Sequence, residues 1–136
     1  MKAFVDTNVL IDFIAEREPH FRFASVLFQL AEIGSVCLVY SSISVVNVFY
    51  VLRKYFTNSQ LTNVFERQKT LVGICDVTSK DVFNALSLEW PDFEDSIQYE
   101  VAKTANCDVI ITRNVSDFQK SSIPVLSPQD FLEKYF

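Results

Sequence analysis

Short apolar runs alternate with longer stretches of helical period along the whole chain, and this alternation limits the possible folds more than any other feature. Five runs have the length of strands: Ala3–Val5, Val36–Val39, Gly73–Val77, Val109–Ile111 and Val125–Leu126. Apolar residues recur at intervals of three or four in Val9–Ala15, Phe21–Ile33, Ile43–Phe56, Leu61–Leu71, Lys80–Leu88, Asp95–Ala105 and Gln129–Tyr135. Strands that alternate with helices predict an α/β fold with a mainly parallel sheet covered by helices.

The length and composition favour one compact domain. The 136 residues are 49% hydrophobic and include two glycines and four prolines, so little of the chain has the composition of a linker. We therefore expect a single domain over residues 1–136. No apolar run approaches the ~20 residues that cross a bilayer, and Lys2 leads into the first strand without a leader peptide. These features predict a soluble, cytoplasmic protein.

The charge balance argues against a large non-specific nucleic-acid surface. The net charge is −5, whereas binding to the phosphate backbone requires clustered Lys and Arg. Arg53, Lys54 and Arg113 remain candidates for local contacts with an RNA backbone, with solvated surface as the alternative for each.

Cysteine and histidine residues do not form a recognisable metal or redox motif. Cys37, Cys75 and Cys107 lie singly, far apart in the sequence, and each is expected to be a small buried hydrophobic residue. The lone histidine, His20, has no partner at ligand spacing, and no catalytic role is predicted for it.

Acidic and polar residues follow the strands at points that a parallel sheet would bring together. Asp6 ends the first strand, and Asp95 opens a helix that leads into the fourth strand. Thr112, Asn114 and Asp117 follow the fourth strand. The carboxyl ends of parallel strands share one edge, and clustered carboxylates repel one another unless they are protonated or bind a cation. Hard oxygen ligands suit Mg²⁺ or Mn²⁺, so this pattern predicts a metal-dependent phosphodiesterase.

Each of these acids also has a structural interpretation. Asp95 would stabilise a helix amino end by its charge alone, Asp92 has the position of a helix cap, and Asp117 suits an Asx-type loop. An aspartate-nucleophile phosphatase is an enzymatic alternative, because such enzymes also begin with a strand that ends in Asp. They usually carry another acid two residues further on, where this chain has Asn8.

Four segments taken together resemble the PIN-domain nucleases, including the VapC-type ribonuclease toxins. The segments are Val5–Asp12, Ser41–Ser42 with Val48–Arg53, Asp92–Asp95, and Ile111–Phe118. The resemblance covers nearly the whole chain and implies a PIN-like three-layer sandwich with a mainly parallel central sheet. It also implies a Mg²⁺- or Mn²⁺-dependent endoribonuclease that acts on single-stranded or structured RNA. A toxin of a type II toxin–antitoxin pair would bind an antitoxin protein.

The resemblance implies roles for individual positions. The catalytic metal ligands fall on Asp6, Asp95 and Asp117, with supporting roles for Thr7, Asn8, Asp92, Thr112 and Asn114. The glutamate that the family usually carries on the helix after the second strand is replaced by Asn47, which would complete the metal shell directly or through water. One negative charge is lost, so the alternative function is a catalytically weak PIN fold that binds RNA or protein.

Two further expectations concern assembly and helix starts. The apolar faces Val45–Val48–Phe49–Leu52 and Phe21–Ala24–Phe28 exceed what one sheet face readily covers, which predicts a homodimer. Expected helix caps are Ser42 or Ser44 for the third helix, Ser79 for the fifth, and Ser127 before Pro128 for the last.

Overall fold

Strands and helices alternate through all 136 residues, which the computed structural model describes completely. The strands are β1 (Lys2–Val5), β2 (Cys37–Ser41), β3 (Gly73–Cys75), β4 (Val109–Ile111) and β5 (Val125–Leu126). The helices are α1 (Thr7–Ile14), α2 (Phe21–Glu32), α3 (Ser42–Leu52), α4 (Asn58–Gln68), α5 (Ser79–Leu88), α6 (Phe93–Thr104) and α7 (Pro128–Tyr135). A 3₁₀ turn over Val115–Phe118 was not predicted. All of the predicted strands and helices are present, with ends that differ by a few residues.

The strands form one sheet in the order β3-β2-β1-β4-β5, and every neighbouring pair is parallel. β1 lies at the centre, with β2 on one side and β4 on the other. The strand order therefore reverses at β1, and a crevice forms outside the carboxyl ends of β1 and β4. In open α/β sheets, ligands bind at such a crevice.

The two faces of the sheet carry separate cores, which produces the predicted three-layer sandwich. Ala3 and Val5 of β1 face a cluster that includes side chains of α1, α2, α3, α4 and α7. Phe4, between them, faces a second cluster that includes side chains of α5 and α6. Successive side chains of a strand point to opposite faces, so a short apolar run covered on both sides remains apolar throughout.

Polar side chains cap the helices close to the predicted positions. Ser41 caps α3 and accepts a hydrogen bond from the backbone N of Ser44, so the cap lies one residue before the expected Ser42. Thr78, rather than Ser79, caps α5. Ser127 caps α7 ahead of Pro128, as predicted. At both of the helices whose cap was predicted wrongly, the cap is the last residue with extended backbone, because a capping residue needs non-helical backbone angles.

The apolar helix faces that suggested a homodimer are covered within the chain. Val48 and Leu52 are buried, and the face of α2 that carries Ala24 and Phe28 lies in the same core. The exposed large apolar residues of α3 are others, namely Val46, Tyr50 and Val51.

The expectation that every cysteine is buried was wrong for two of them. Cys37 begins β2 and is exposed, and Cys75 ends the edge strand β3 and is only partly covered. Cys107 is buried, and burial raises the pKa of its thiol to about 12. No helix is long and apolar enough to span a membrane.

Candidate active site

A cleft of about 530 Å³ opens at the carboxyl ends of β1 and β4. The starts of α1 and α6 and part of α3 contribute to its walls. The predicted site residues that line it are Asp6, Thr7, Asn8, Asn47, Asp92, Asp95, Asn114 and Asp117. The parallel sheet therefore brings together acids that are far apart in the sequence.

Asp6 is the only buried carboxylate of the cleft, with 4% of its surface exposed. It caps α1, where its Oδ1 accepts a hydrogen bond from the backbone N of Thr7 at 2.8 Å. Its Oδ2 accepts hydrogen bonds from Thr112 Oγ1 at 2.7 Å and from Asn8 Nδ2 at 3.1 Å. Thr112 follows β4 and is completely buried, so it orients Asp6 from the neighbouring strand.

Two acids of the cleft, Asp6 and Asp95, have pKa values well above the ordinary value of an aspartate. Burial raises the pKa of Asp6 from 3.8 to about 6, against hydrogen bonds from Thr112 and Thr7 that lower it. The pKa of Asp95 is raised to about 7, first by burial and then by the negative charges of Asp6, Asp92, Asp117 and Glu94. The cleft therefore disfavours the ionised forms of Asp6 and Asp95 unless positive charge is present.

The amino end of α6 supplies three of these acids. Asp92 is the N-cap of the helix, as predicted, and its Oδ1 accepts a hydrogen bond from the backbone N of Asp95 at 3.1 Å. Glu94 lies between them in the first turn and also lines the cleft, although no sequence pattern indicated it. Four acids from two helix starts and a fifth from the 3₁₀ turn thus face one space.

A buried polar network holds Glu94 in place. Glu94 Oε1 accepts a hydrogen bond from Thr7 Oγ1 at 3.3 Å and a longer one, 3.5 Å, from Gln98 Nε2. Gln98 is completely buried and also donates to Ser44 Oγ at 2.9 Å, while its Oε1 accepts from Ser41 Oγ at 2.6 Å. A buried amide with these partners fixes the first turn of α6 against the starts of α1 and α3.

Basic side chains are arranged differently from the sequence prediction. Arg113 does not line the cleft, and its Nε lies 2.6 Å from Oδ2 of the buried Asp12. Arg17, which was not predicted, does line the cleft, and its Nε donates to Asp12 Oδ1 at 2.9 Å. Asp12 thus holds two arginines, and Arg17 is the one that brings positive charge to the cleft.

The other predicted basic residues lie beyond the end of α3. The guanidinium of Arg53 lies 4.0 Å from the ring centroid of Tyr50, a residue that lines the cleft. Lys54 is exposed in the turn that follows. These two residues therefore flank one side of the cleft without lining it.

The donor set of the cleft fits a hard divalent cation. Its polar lining is rich in carboxylate and amide oxygens, which suit Mg²⁺ or Mn²⁺, and it contains neither cysteine nor histidine. Burial, together with the charges of neighbouring acids, raises the pKa values of Asp6 and Asp95, and a bound cation would stabilise their ionised forms. No three of the acidic side chains lie close enough together to hold one cation, so binding would require these side chains to move closer to one another.

The model of the PIN domain family matches residues 2–116, which include β1 to β4 and all of the acids described above except Asp117. The chain belongs to the PIN domain family. This PIN domain has the all-parallel sheet and helical layers described above, and the matched segment ends one residue before Asp117.

Relatives of this PIN domain match along nearly their whole length. Ribonuclease VapC1 from Aquifex aeolicus (strain VF5) is 28% identical over 142 aligned positions, which cover 98% of this chain and 95% of the relative. A toxin–antitoxin complex from Klebsiella pneumoniae contains a chain that is 26% identical, with a TM-score of 0.68 and coverage of 93% and 97%. VapBC2 from Rickettsia felis, bound to a promoter DNA fragment, has a TM-score of 0.69 at 18% identity, with coverage of 93% and 98%.

Proposed function

We propose that this PIN domain is a Mg²⁺- or Mn²⁺-dependent endoribonuclease that hydrolyses phosphodiester bonds of RNA. The observation that carries the proposal is the convergence of five carboxyl groups in one cleft at the carboxyl ends of β1 and β4, two of which, Asp6 and Asp95, have raised pKa values. Its similarity to a ribonuclease supports RNA as the substrate.

The chain's own residues hold and orient the reacting groups. Asp6, Asp95 and Asp117 would bind the cation, with Asn47 contributing a neutral oxygen and Glu94 a further carboxylate. When bound, the cation neutralises charge on the phosphodiester and acidifies a water for in-line attack.

The residues around these ligands keep the site in position. Thr112 and Asn8 orient Asp6 through its Oδ2, and Asp92 fixes the start of α6. Asn114 is held by a hydrogen bond from its backbone N to Thr112 Oγ1 at 3.1 Å. Arg17 would contact a non-bridging phosphate oxygen at the side of the cleft, and Arg53 and Lys54 would contact the neighbouring backbone.

A cleavage assay combined with calorimetry tests this function. The purified protein should cut single-stranded RNA internally in Mg²⁺ or Mn²⁺ and should lose this activity in EDTA. Calorimetry should detect Mn²⁺ binding at or below millimolar concentration. Absence of both would contradict the nuclease and support the second candidate, a PIN fold that binds RNA or protein without cleaving RNA. Asn47 is the observation that favours this second candidate, because it removes one carboxylate from the usual family position.

The role of a toxin that an antitoxin inhibits is part of the proposal. Structures similar to this chain come from a toxin–antitoxin complex and from VapBC2. An antitoxin that reaches into the cleft would meet a strongly acidic surface, so we expect it to present a basic side chain there.

We also propose a homodimer, now through the exposed face of α3. Val46 is 67% exposed and Tyr50 is 66% exposed, and large apolar side chains at a surface are typical of interfaces. Tyr50 and Val51 also line the cleft, so symmetric pairing through this face would place two acidic clefts along one groove.

Val46→Glu is expected to convert the dimer to a monomer, because it places a charge within an apolar interface. Light scattering at micromolar concentration should give twice the chain mass for the wild type and a single chain mass for the variant. Ile33→Glu, at a position that is 73% exposed just after α2, serves as the control and should stay dimeric. A monomeric wild type in the presence of Mn²⁺ would contradict the homodimer.

A further inference from the structure

A second cavity adjoins the acidic cleft. Its volume is about 340 Å³, and it shares Asp92 and Asp117 with the cleft. The rest of its wall consists of Trp90, Pro91, Ser116, Gln119 and Lys120. A chain of nucleotides with one phosphate in the cleft would therefore place a neighbouring nucleotide at this cavity.

Trp90 is held rigidly at the wall of this cavity. Its ring stacks on Tyr99 with centroids 4.9 Å apart and meets the edge of Phe118 at 5.9 Å. Tyr99 is itself fixed by hydrogen bonds between its hydroxyl and Ser122, at 2.9 Å to Oγ and 3.2 Å to the backbone N. An aromatic surface that is already ordered loses little conformational entropy when a ligand stacks on it.

The backbone around Trp90 is also constrained. Glu89, which ends α5, has the left-handed φ of 55°, a conformation that is uncommon for residues other than glycine. Pro91 follows Trp90 and disfavours a helical conformation for it. The chain therefore leaves the helical conformation after α5, and the indole packs against Tyr99 and Phe118.

The polar side of the cavity provides a cation without a partner. Lys120 makes no ion pair within the chain, and it lies next to Gln119, whose side-chain amide can donate and accept hydrogen bonds. An aromatic ring and an unpaired ammonium group that line one cavity are the combination that sites for single-stranded nucleic acid use. The base stacks on the ring, and the adjacent phosphate pairs with the cation.

We infer that this cavity is a nucleobase subsite, in which the base next to the scissile phosphate stacks on Trp90 while Lys120 contacts the flanking phosphate. The inference deepens the proposed nuclease function and rests on it. Stacking engages the π-face that every base has, so the subsite holds single-stranded RNA with little sequence preference. Such a subsite would let a protein with a net charge of −5 bind RNA locally, without a large basic surface.

Trp90 is the only tryptophan of the chain, so its fluorescence reports occupancy directly. The wild type is titrated in Mg²⁺ with a short oligoadenylate that resists cleavage through phosphorothioate links and 2′-O-methyl groups. We expect saturable quenching of the tryptophan emission. The fluorescence of the intact protein is the primary readout, so it does not depend on the folding of any variant.

Variants then separate the contributions to affinity, measured by anisotropy of the labelled oligonucleotide. Trp90→Leu should weaken binding about tenfold or more, and Trp90→Phe should recover part of the loss because it keeps a ring. Lys120→Gln should weaken binding and reduce its salt dependence. The control is Phe83→Leu, an exposed aromatic residue of α5 that lines neither cavity, and it should bind as the wild type does.

The outcomes distinguish this subsite from the nuclease function. Quenching by the oligonucleotide, with weaker binding by Trp90→Leu, supports the subsite even if the wild type cleaves no RNA. RNA cleavage by the wild type, without quenching at saturating oligonucleotide and with unchanged affinity in Trp90→Leu, would overturn the subsite and leave the nuclease intact.

Discussion

Asp6→Asn is expected to abolish both RNA cleavage and the stabilisation of the fold by Mn²⁺, while the metal-free protein stays folded. Asparagine has nearly the same volume, and its Oδ1 can still accept the hydrogen bond from the backbone N of Thr7. A catalytic cation supplies several kcal/mol of transition-state stabilisation, so the rate should fall by about a thousandfold or more. Mn²⁺ at about 100 times its dissociation constant should add about 2.7 kcal/mol to the free energy of unfolding of the wild type only.

The pH dependence of the metal-free protein provides a second readout of the same substitution. The folded pKa of Asp6 is about 6, above its ordinary value of 3.8, so the folded state holds the proton more tightly than the unfolded state does. The corresponding stability is complete below about pH 4 and is lost as the pH rises through about 6. The full shift corresponds to about 3 kcal/mol. In urea unfolding with EDTA, Asp6→Asn should therefore gain stability relative to the wild type as the pH rises.

A matched control is available at another strand end. Asp76 directly follows β3, as Asp6 follows β1, but it is exposed at the edge of the sheet and does not line the cleft. Asp76→Asn should leave cleavage, Mn²⁺ stabilisation and the pH profile at wild-type values. If Asp6→Asn still cleaves RNA or is still stabilised by Mn²⁺, Asp6 is not a ligand of the metal.

Glu94→Gln is expected to weaken Mn²⁺ binding, and Asn47→Glu in the same chain is expected to restore it. Both positions line the cleft, and only Glu94 carries a charge. Each anionic ligand strengthens a hard-cation site, and the loss of one should lower the affinity by about tenfold or more. Asn47→Glu alone should bind Mn²⁺ more tightly than the wild type and cleave RNA faster. Calorimetry of the wild type, both single variants and the double variant measures the coupling.

The control for this cycle is Glu66→Gln, an exposed glutamate of α4 outside the cleft, which should not alter Mn²⁺ affinity. Wild-type affinity in Glu94→Gln would show that Glu94 lies beyond reach of the cation. If Asn47→Glu raises the Mn²⁺ affinity neither in the wild type nor in Glu94→Gln, position 47 lies beyond reach of the cation.

The fold could be predicted from the sequence because each strand and helix is marked by the spacing of apolar residues within its own segment. Asp6 and Thr112 could be expected to meet because both follow apolar strands, and the carboxyl ends of parallel strands share an edge. Each of these strands is apolar throughout, which indicates that both of its faces are covered, as they are in the structure. The meeting of distant acids therefore followed from topology alone.

The contributions of Glu94 and Arg17 could not be predicted because they depend on tertiary contacts. Side chains in the first turn of a helix point in different directions, so the sequence does not show that Glu94 faces the cleft together with Asp92 and Asp95; the contact of Gln98 with Ser44 and Glu94 places it there. Arg17 lies beyond the end of α1, and Arg113 follows β4, so nothing in the sequence indicates that both pair with Asp12. The wrong face of α3 was also predicted to be exposed. This helix is apolar on more than one side, so its sequence does not show which side packs on the core.

The pairing of β1 with β4 has a consequence for how this protein is made. Asp6 and Thr112 are 106 positions apart, yet their side chains are in contact. A nascent chain that has not yet reached β4 carries Asp6 without Thr112 or Asp117, and its first strand has no neighbour on that side. Contacts of such sequence separation form late. In the proposed nuclease, a chain that ends before β4 lacks Thr112 and Asp117, so we expect the incomplete product of translation to bind no catalytic cation and to cleave no RNA.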